Sequence, residues 1–326
     1  MIAGSGSGGA GAAGGVAGAA ALRTHSSSSA AAKVEALCAG GTALLHVIVD
    51  WDRTCTTYMH NGRKGDTCHG VVESRRGPEL LEKACALNAK FHPIEVDPLI
   101  SREEKIPHMR AWYAAVNGLL ATEGRISRTD LREDVRAANM GLREGIPELL
   151  RAAVARGFPV TILSAGIGDV IEEALRQLFG PLPPHIRVVS NRMVWHGDVC
   201  VGFSEPVIHS ASAPAPRKKQ RAFFYAPPSI FLLTTVFNKT SRLAFSEQER
   251  AQLAAERPHV VLVGDSDGDA TMAEGLDASV LLKIGILNDP AAVEKSLPAY
   301  SALFDIVLQD DPPLWPLLEI LRRLGC

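Results

Sequence analysis

Apolar positions along this chain follow two periods, and the switches between them outline its elements. Residues 44–49 are a continuous apolar, β-branched run that stops abruptly at Asp50 and Asp52, which reads as a buried strand carrying two carboxylates to the rim of a sheet. Residues 159–163 and 259–263 repeat that design, the first ending in Ser164-Ala165-Gly166-Ile167-Gly168-Asp169 and the second in Gly264-Asp265-Ser266-Asp267-Gly268-Asp269. Further short strands are expected at 186–190, 281–286 and 306–308, with a hairpin over 193–203 around Gly197-Asp198. Helical spacing marks 142–156, closed by Gly157, and also 170–178, 246–256 and 314–324. Strands alternating with helices imply an α/β fold with a parallel sheet.

Residues 66–140 break this rhythm. Helical spacing recurs over 78–91 and 102–120, charge is dense and strands are hard to find, so the stretch reads as a helical insert between the first strand and the next. Inside it Ile94-Glu95-Val96-Asp97-Pro98 leaves two acids near a proline-ended turn. Residues 1–33, mainly Gly, Ala and Ser, cannot bury enough apolar surface to order themselves and are expected to be a disordered tail, with a faint transit-peptide character. The organisation expected is a core of 34–62 and 142–326, a helical cap of 63–141, and an insertion at 210–235 whose basic stretch Arg217-Lys218-Lys219-Gln220-Arg221 reads as a solvated loop.

Composition narrows the function. The chain has 326 residues with 46% apolar content, enough for a sizeable core. A formal net charge of -2 gives no electrostatic case for nucleic acid or an anionic membrane, and no run in the folded part is long and apolar enough to span one. Six scattered cysteines without a C-x-x-C pair suggest neither a disulfide framework nor a zinc site, which fits a reduced, cytoplasmic compartment. A monomer is expected.

Candidate chemistry gathers at the strand ends. Asp50 and Asp52 alternate onto one side of the extended chain, close enough to share a cation, and Thr54 completes D-x-D-x-T. A hydroxyl followed by glycines at Ser164–Gly168, opening a helix, can hold an anion with O–H and N–H groups. Gly264-Asp265 adds a further acid beside a residue that lets the backbone turn tightly.

The order D-x-D-x-T, Ser, Lys, G-D-x-x-G-D resembles the haloacid dehalogenase-like phosphotransferases. Asp50-Trp51-Asp52-Arg53-Thr54, Ile94-Glu95-Val96-Asp97-Pro98, Trp112-Tyr113, Leu163-Ser164-Ala165-Gly166-Ile167-Gly168-Asp169, Phe237-Asn238-Lys239 and Gly264-Asp265-Ser266 together resemble the cytosolic 5′-nucleotidase III (pyrimidine 5′-nucleotidase) family. The resemblance covers roughly residues 42–325 outside the insertion. It implies a Rossmann-like parallel sheet under a helical cap, and Mg²⁺-dependent hydrolysis of a nucleoside 5′-monophosphate, UMP or CMP first, through an aspartyl phosphate. Asp50 would be the nucleophile and Asp52 the general acid and base; Asp50, Asp52 and Asp265 would hold Mg²⁺; Ser164, Ala165 and Lys239 would bind phosphate, and Glu95 the base.

Departures leave alternatives open. Trp51 stands where the family has Phe, Val116 aligns with a Ser used near the base, and Thr240-Ser241-Arg242 replaces a His-Asp-Gly stretch. In the family Ile208-His209 would run straight into Val236-Phe237, so 210–235 is either a retained intron carried into the translation or a loop beside the site. Another phosphatase activity, such as on 7-methyl-GMP, and a catalytically impaired nucleotide-binding protein are the alternatives.

Overall fold

A computed structural model describes residues 24–97, 99–209 and 239–326. In chain order these form β1 (Thr24–Ser26), α1 (Ala30–Gly40), β2 (Leu45–Val49), β3 (Met59–His60), β4 (Arg63–Lys64), α2 (Cys68–Glu73), α3 (Pro78–Val96), α4 (Arg102–Glu123), α5 (Arg128–Ala137), α6 (Ile146–Arg156), β5 (Val160–Ile167) and α7 (Gly168–Phe179). Then follow β6 (Ile186–Asn191), β7 (Met193–His196), β8 (Val199–Phe203), α8 (Ser241–Ala244), α9 (Glu247–Glu256), β9 (His259–Gly264), β10 (Val280–Leu287), α10 (Val293–Leu303), β11 (Ile306–Gln309) and α11 (Trp315–Arg323).

One sheet runs in the order β1-β11-β10-β9-β2-β5-β6, parallel throughout except that β1 lies antiparallel to β11. β2 is buried along its whole length, as a strand covered on both faces must be. Its Leu45, Val47 and Val49 join one apolar cluster with Leu149 of α6 and Ile171 of α7, whereas Ile48 joins a second with Phe245, Met272 and Phe304. The period-2 alternation therefore builds two cores, one on each face, and the expected α/β class is the one observed.

Between β2 and β5 the chain leaves the sheet through a stem. Thr56 bridges Leu142, Thr57 N–H donates to the Gly141 carbonyl at 3.0 Å, and Asp66 N–H donates to the Asn139 carbonyl at 3.0 Å. The buried Asn139 amide donates in turn to the carbonyls of His60 at 2.9 Å and Lys64 at 3.2 Å. Helices α2 to α5 lie beyond this stem. The β7–β8 hairpin touches them through Cys200 N–H to Ile126 C=O at 2.9 Å and Arg128 N–H to Asp198 C=O at 3.1 Å.

Three expectations are corrected. The disordered tail does not extend to residue 33: β1 pairs with β11, Ser27 N–H donates to Asp305 C=O at 2.7 Å, and Lys33 forms an ion pair with Asp305 at 2.7 Å, so pairing partners offset the weak composition. Residues 1–23 and the inserted segment 210–235 lie outside the described residues. The helix expected from 142 begins at Ile146, because Leu142 is used in the stem and Gly145, at φ 103°, breaks the helical path. The helix expected over 78–91 runs on to Val96, so Ile94, Glu95 and Val96 form the last turn of α3.

Candidate active site

Strand register brings the acids together. Val49 pairs with Val263, and Asp50 N–H donates to the Val263 carbonyl at 3.0 Å, so Asp50 and Asp265 leave adjacent strand ends; Ser164 follows on β5, the other neighbour of β2. This is the carboxyl edge of a parallel sheet, where α/β folds place ligands. After Asp50 the chain turns through Trp51–Cys55, closed by Cys55 N–H to Asp50 C=O at 3.3 Å and Thr56 N–H to Trp51 C=O at 3.0 Å, with Arg53 at φ 62°. Asp52 lies inside the turn, and its carboxylate accepts the Cys68 N–H at the start of α2 at 2.9 Å. Gly166 makes that approach possible, since a Cβ there would stand 3.0 Å from an Asp52 carboxylate oxygen and 2.8 Å from the Cys68 sulfur.

The carboxylates that close on one another are Asp50, Asp265 and Asp269, each offering an oxygen within 4.8 Å of the others. This cluster does not include Asp52, expected among the metal ligands, and it includes Asp269, which was not. Asp269 folds back over the bare Gly264, and one of its oxygens accepts Asp265 N–H at 3.1 Å, Ser266 N–H at 2.9 Å and Ser266 O–H at 2.8 Å. Its other oxygen meets the buried Lys239 ammonium, which also bonds Asp50. Thr54 O–H donates to Asp265 at 3.4 Å.

Burial sets the electrostatics. Desolvation pushes the Asp50 carboxyl well above its usual range, Lys239 opposes this, and Asp269 and Asp265 add to it. Asp265 is pushed to about 7, by burial first and by Asp269 second. Burial raises Asp52 while the Cys68 N–H lowers it. For Lys239 burial disfavours the charge, but Asp269 and Asp50 outweigh burial and hold it protonated above the usual range. One ammonium cannot pair all three carboxylates in their ionised form, and the raised carboxyls of Asp50 and Asp265 express that shortfall. A donor set of carboxylate oxygens suits a hard divalent cation such as Mg²⁺, so the residues present fit that ion.

These groups floor a cavity of about 370 Å³ whose lining also includes Ser164, Ala165 and Gly166, and, from the helices above, Glu95, Trp112 and Val116. Trp112 stacks on Phe91 with centroids 6.1 Å apart at 14°. His92 and Glu95 approach to 3.2 Å, and the buried Lys105 ammonium donates to the Glu95 carbonyl at 2.6 Å. Every residue expected in the site, Asp50, Asp52, Glu95, Ser164, Ala165, Lys239 and Asp265, therefore lines one pocket. Ser164 Oγ accepts the Gly166 N–H at 3.1 Å. Sequence reasoning passed over Glu73 and His69, both on the pocket wall; burial pushes Glu73 up to about 7 and His69 down to about 4. It also passed over Asp269 as a member of the acidic cluster, although that acid stands four residues after Asp265 in the same motif.

A pocket lined by carboxylates, a buried lysine and aromatic rings suits a phosphorylated compound with a flat ring. Comparison with known proteins agrees. The model of the pyrimidine 5′-nucleotidase (UMPH-1) family matches residues 53–225 and 231–325. A Homo sapiens 7-methylguanosine phosphate-specific 5′-nucleotidase is 32% identical over 297 residues, covering 90% of this chain and 89% of the relative. The Gallus gallus 7-methylguanosine phosphate-specific 5′-nucleotidase is 32% identical over 288 residues, covering 87% and 89%. Among solved structures, cytosolic 5′-nucleotidase IIIB bound to cytidine superimposes with a TM-score of 0.71 at 26% identity, covering 93% of this chain and 94% of that one. The chain belongs to the pyrimidine 5′-nucleotidase family and is a 5′-nucleotidase, as its motifs implied. Among the described residues no helix is long and apolar enough to cross a membrane.

Proposed function

We propose that the protein is a cytoplasmic, Mg²⁺-dependent enzyme that hydrolyses pyrimidine nucleoside 5′-monophosphates, CMP and UMP, to nucleoside and phosphate. The observation that carries this is a single pocket with Asp50, Ser164, Lys239 and Asp265 at one end and Trp112 and Glu95 lining it from the helices above. A phosphate and a base joined by a ribose match that division. Asp50 attacks phosphorus, the bond to the 5′ oxygen breaks, and Asp52 gives that oxygen its proton. Asp52 then takes a proton from water as the water attacks the acyl phosphate, releasing phosphate and free Asp50. Ser164 and neighbouring N–H groups hold phosphate oxygens while Lys239 offsets their charge. Asp50, Asp265 and Asp269 would hold Mg²⁺, whose chemistry is to neutralise the phosphate dianion as it nears a carboxylate.

Helices α2 to α5 act in this reading as the cap, excluding water and selecting the base. Glu95 accepts from an amino or N–H group on the base edge, and Trp112 offers its ring to the base face. The pairing of an indole with a carboxylate also favours a second reading, 7-methyl-GMP, whose base carries positive charge. A panel of CMP, UMP, AMP, 7-methyl-GMP, a sugar phosphate and phosphoserine decides. The pyrimidine reading requires the highest kcat/KM on CMP or UMP; a higher value on 7-methyl-GMP replaces it with the second.

A further inference from the structure

The turn that carries Asp52 is gripped from behind by one side chain that does not line the pocket. Arg143, 1% exposed, sits just before α6. Its Nε donates to the Thr54 carbonyl at 2.9 Å, and its Nη2 to the carbonyls of Arg53 at 2.8 Å and Thr56 at 3.3 Å and to the Asn288 side-chain oxygen at 2.9 Å. Its Nη1 donates to the Pro312 carbonyl at 2.8 Å and pairs with the Asp311 carboxylate at 2.8 Å. Asn288 Nδ2 donates to the Arg53 carbonyl as well, at 2.9 Å, and approaches Asp265 at 3.3 Å. Two donors thus hold the carbonyl of Arg53, a non-glycine residue in the left-handed region, which persists only where its surroundings over-determine it.

Asp50 and Asp52 depend on this grip unequally. Asp50 is held by its own strand, through the N–H bond to Val263, and by Lys239. Asp52 has the Cys68 N–H and thiol on its carboxylate and otherwise takes its place from the turn. We propose that Arg143 is a positioning residue for the general acid, fixing the Trp51–Cys55 turn so that Asp52 stays aligned with the departing 5′ oxygen. This rests on the assignment of Asp52 as the acid under the proposed function.

Loss of alignment at the acid penalises a leaving group that needs a proton and spares one that does not. The test compares the best nucleotide with p-nitrophenyl phosphate for wild type, Arg143→Lys and Arg143→Met, with Asp52→Asn alongside and thermal melts on each. Arg143→Lys keeps the charge without the planar fork and protects the fold should Arg143→Met fail to fold. The expected result is a kcat on the nucleotide lower by about tenfold or more, a much smaller loss on p-nitrophenyl phosphate, a KM nearly unchanged, and Arg143→Lys less affected than Arg143→Met. Equal losses on both substrates, or no loss in Arg143→Lys or any folded Arg143→Met, overturn the proposal while leaving the acid assignment standing if Asp52→Asn shows the split. If Asp52→Asn shows no split, the acid assignment fails and the positioning role falls with it.

Discussion

The Lys239 ammonium bonds Asp50 and Asp269 at once, joining the end of β2 to the turn after β9. Its charge makes close approach of these buried carboxylates tolerable, and under the proposed mechanism it stands where a phosphate dianion comes to meet Asp50. Lys239→Met is expected to lower kcat/KM on the order of 10²–10³-fold, in line with removal of one charge-stabilising donor. Steady-state kinetics on the preferred nucleotide checks this, and a loss under tenfold would remove Lys239 from the machinery.

Asp50 and Asp52 separate by leaving group. Asp50→Asn is expected to abolish turnover and phosphoenzyme on every substrate. Asp52→Asn is expected to lose about 10²–10⁴-fold on a nucleotide and to recover part of that on p-nitrophenyl phosphate. Trapping with beryllium fluoride should place the adduct on Asp50; an adduct on Asp52 reverses the two roles.

Removing the divalent ion with a chelator is expected to stop turnover, and Mg²⁺ to restore it. Asp269→Asn tests which acids hold the ion. An Asn can still accept the Asp265 and Ser266 N–H bonds through its oxygen, so the turn stays formed, while the carboxylate charge is lost both to the ion and to Lys239. The Mg²⁺ concentration giving half-maximal activity should rise by more than about tenfold. If Asp52→Asn raises it instead and Asp269→Asn does not, the set is Asp50, Asp52 and Asp265.

Glu73 links stability to pH. Burial raises its carboxyl from 4.5 to about 7. Below pH 4.5 both folded and unfolded chains carry the proton, and nothing is lost. As pH rises towards and through 7 the unfolded chain releases the proton first, so stability falls. Glu73→Gln is expected to match wild type in stability near pH 4.5 and to exceed it at pH 8, by at most about 3 kcal/mol of unfolding free energy and with a higher melting temperature. Equal melting temperatures at pH 8 would show the carboxyl to be solvated.

The parallel sheet was legible because each strand carried its own signal: an apolar run such as 44–49 or 259–263 that ends in acids can hardly be anything else. That the candidate residues would share one pocket was legible for the same reason, since strand ends and their loops fall together at one edge. What escaped depended on distance in the chain. Arg143 and Asn288 serve a turn some 90 and 235 residues away. Neither stands in a patterned motif, and a buried Arg looks like any surface Arg until its acceptors are known. β1 was missed because three exposed residues carry no hydrophobic period, and only pairing with β11 orders them.

The stem below α2 to α5 has a consequence for how this chain can change. Its two sides already meet at Thr56 and Leu142, so the core experiences everything from 66 to 139 as one closed loop, and loop-closure entropy grows only with the logarithm of length. The helices that select the base under the proposed function can therefore be lengthened or shortened at small loop-closure cost to the sheet beneath. A transplanted stem-and-helix unit that kept the Cys68 N–H for Asp52 and the contacts with the β7–β8 hairpin would leave the carboxylates in place and alter what is presented to them, which makes the stem a seam for recombining specificity and chemistry.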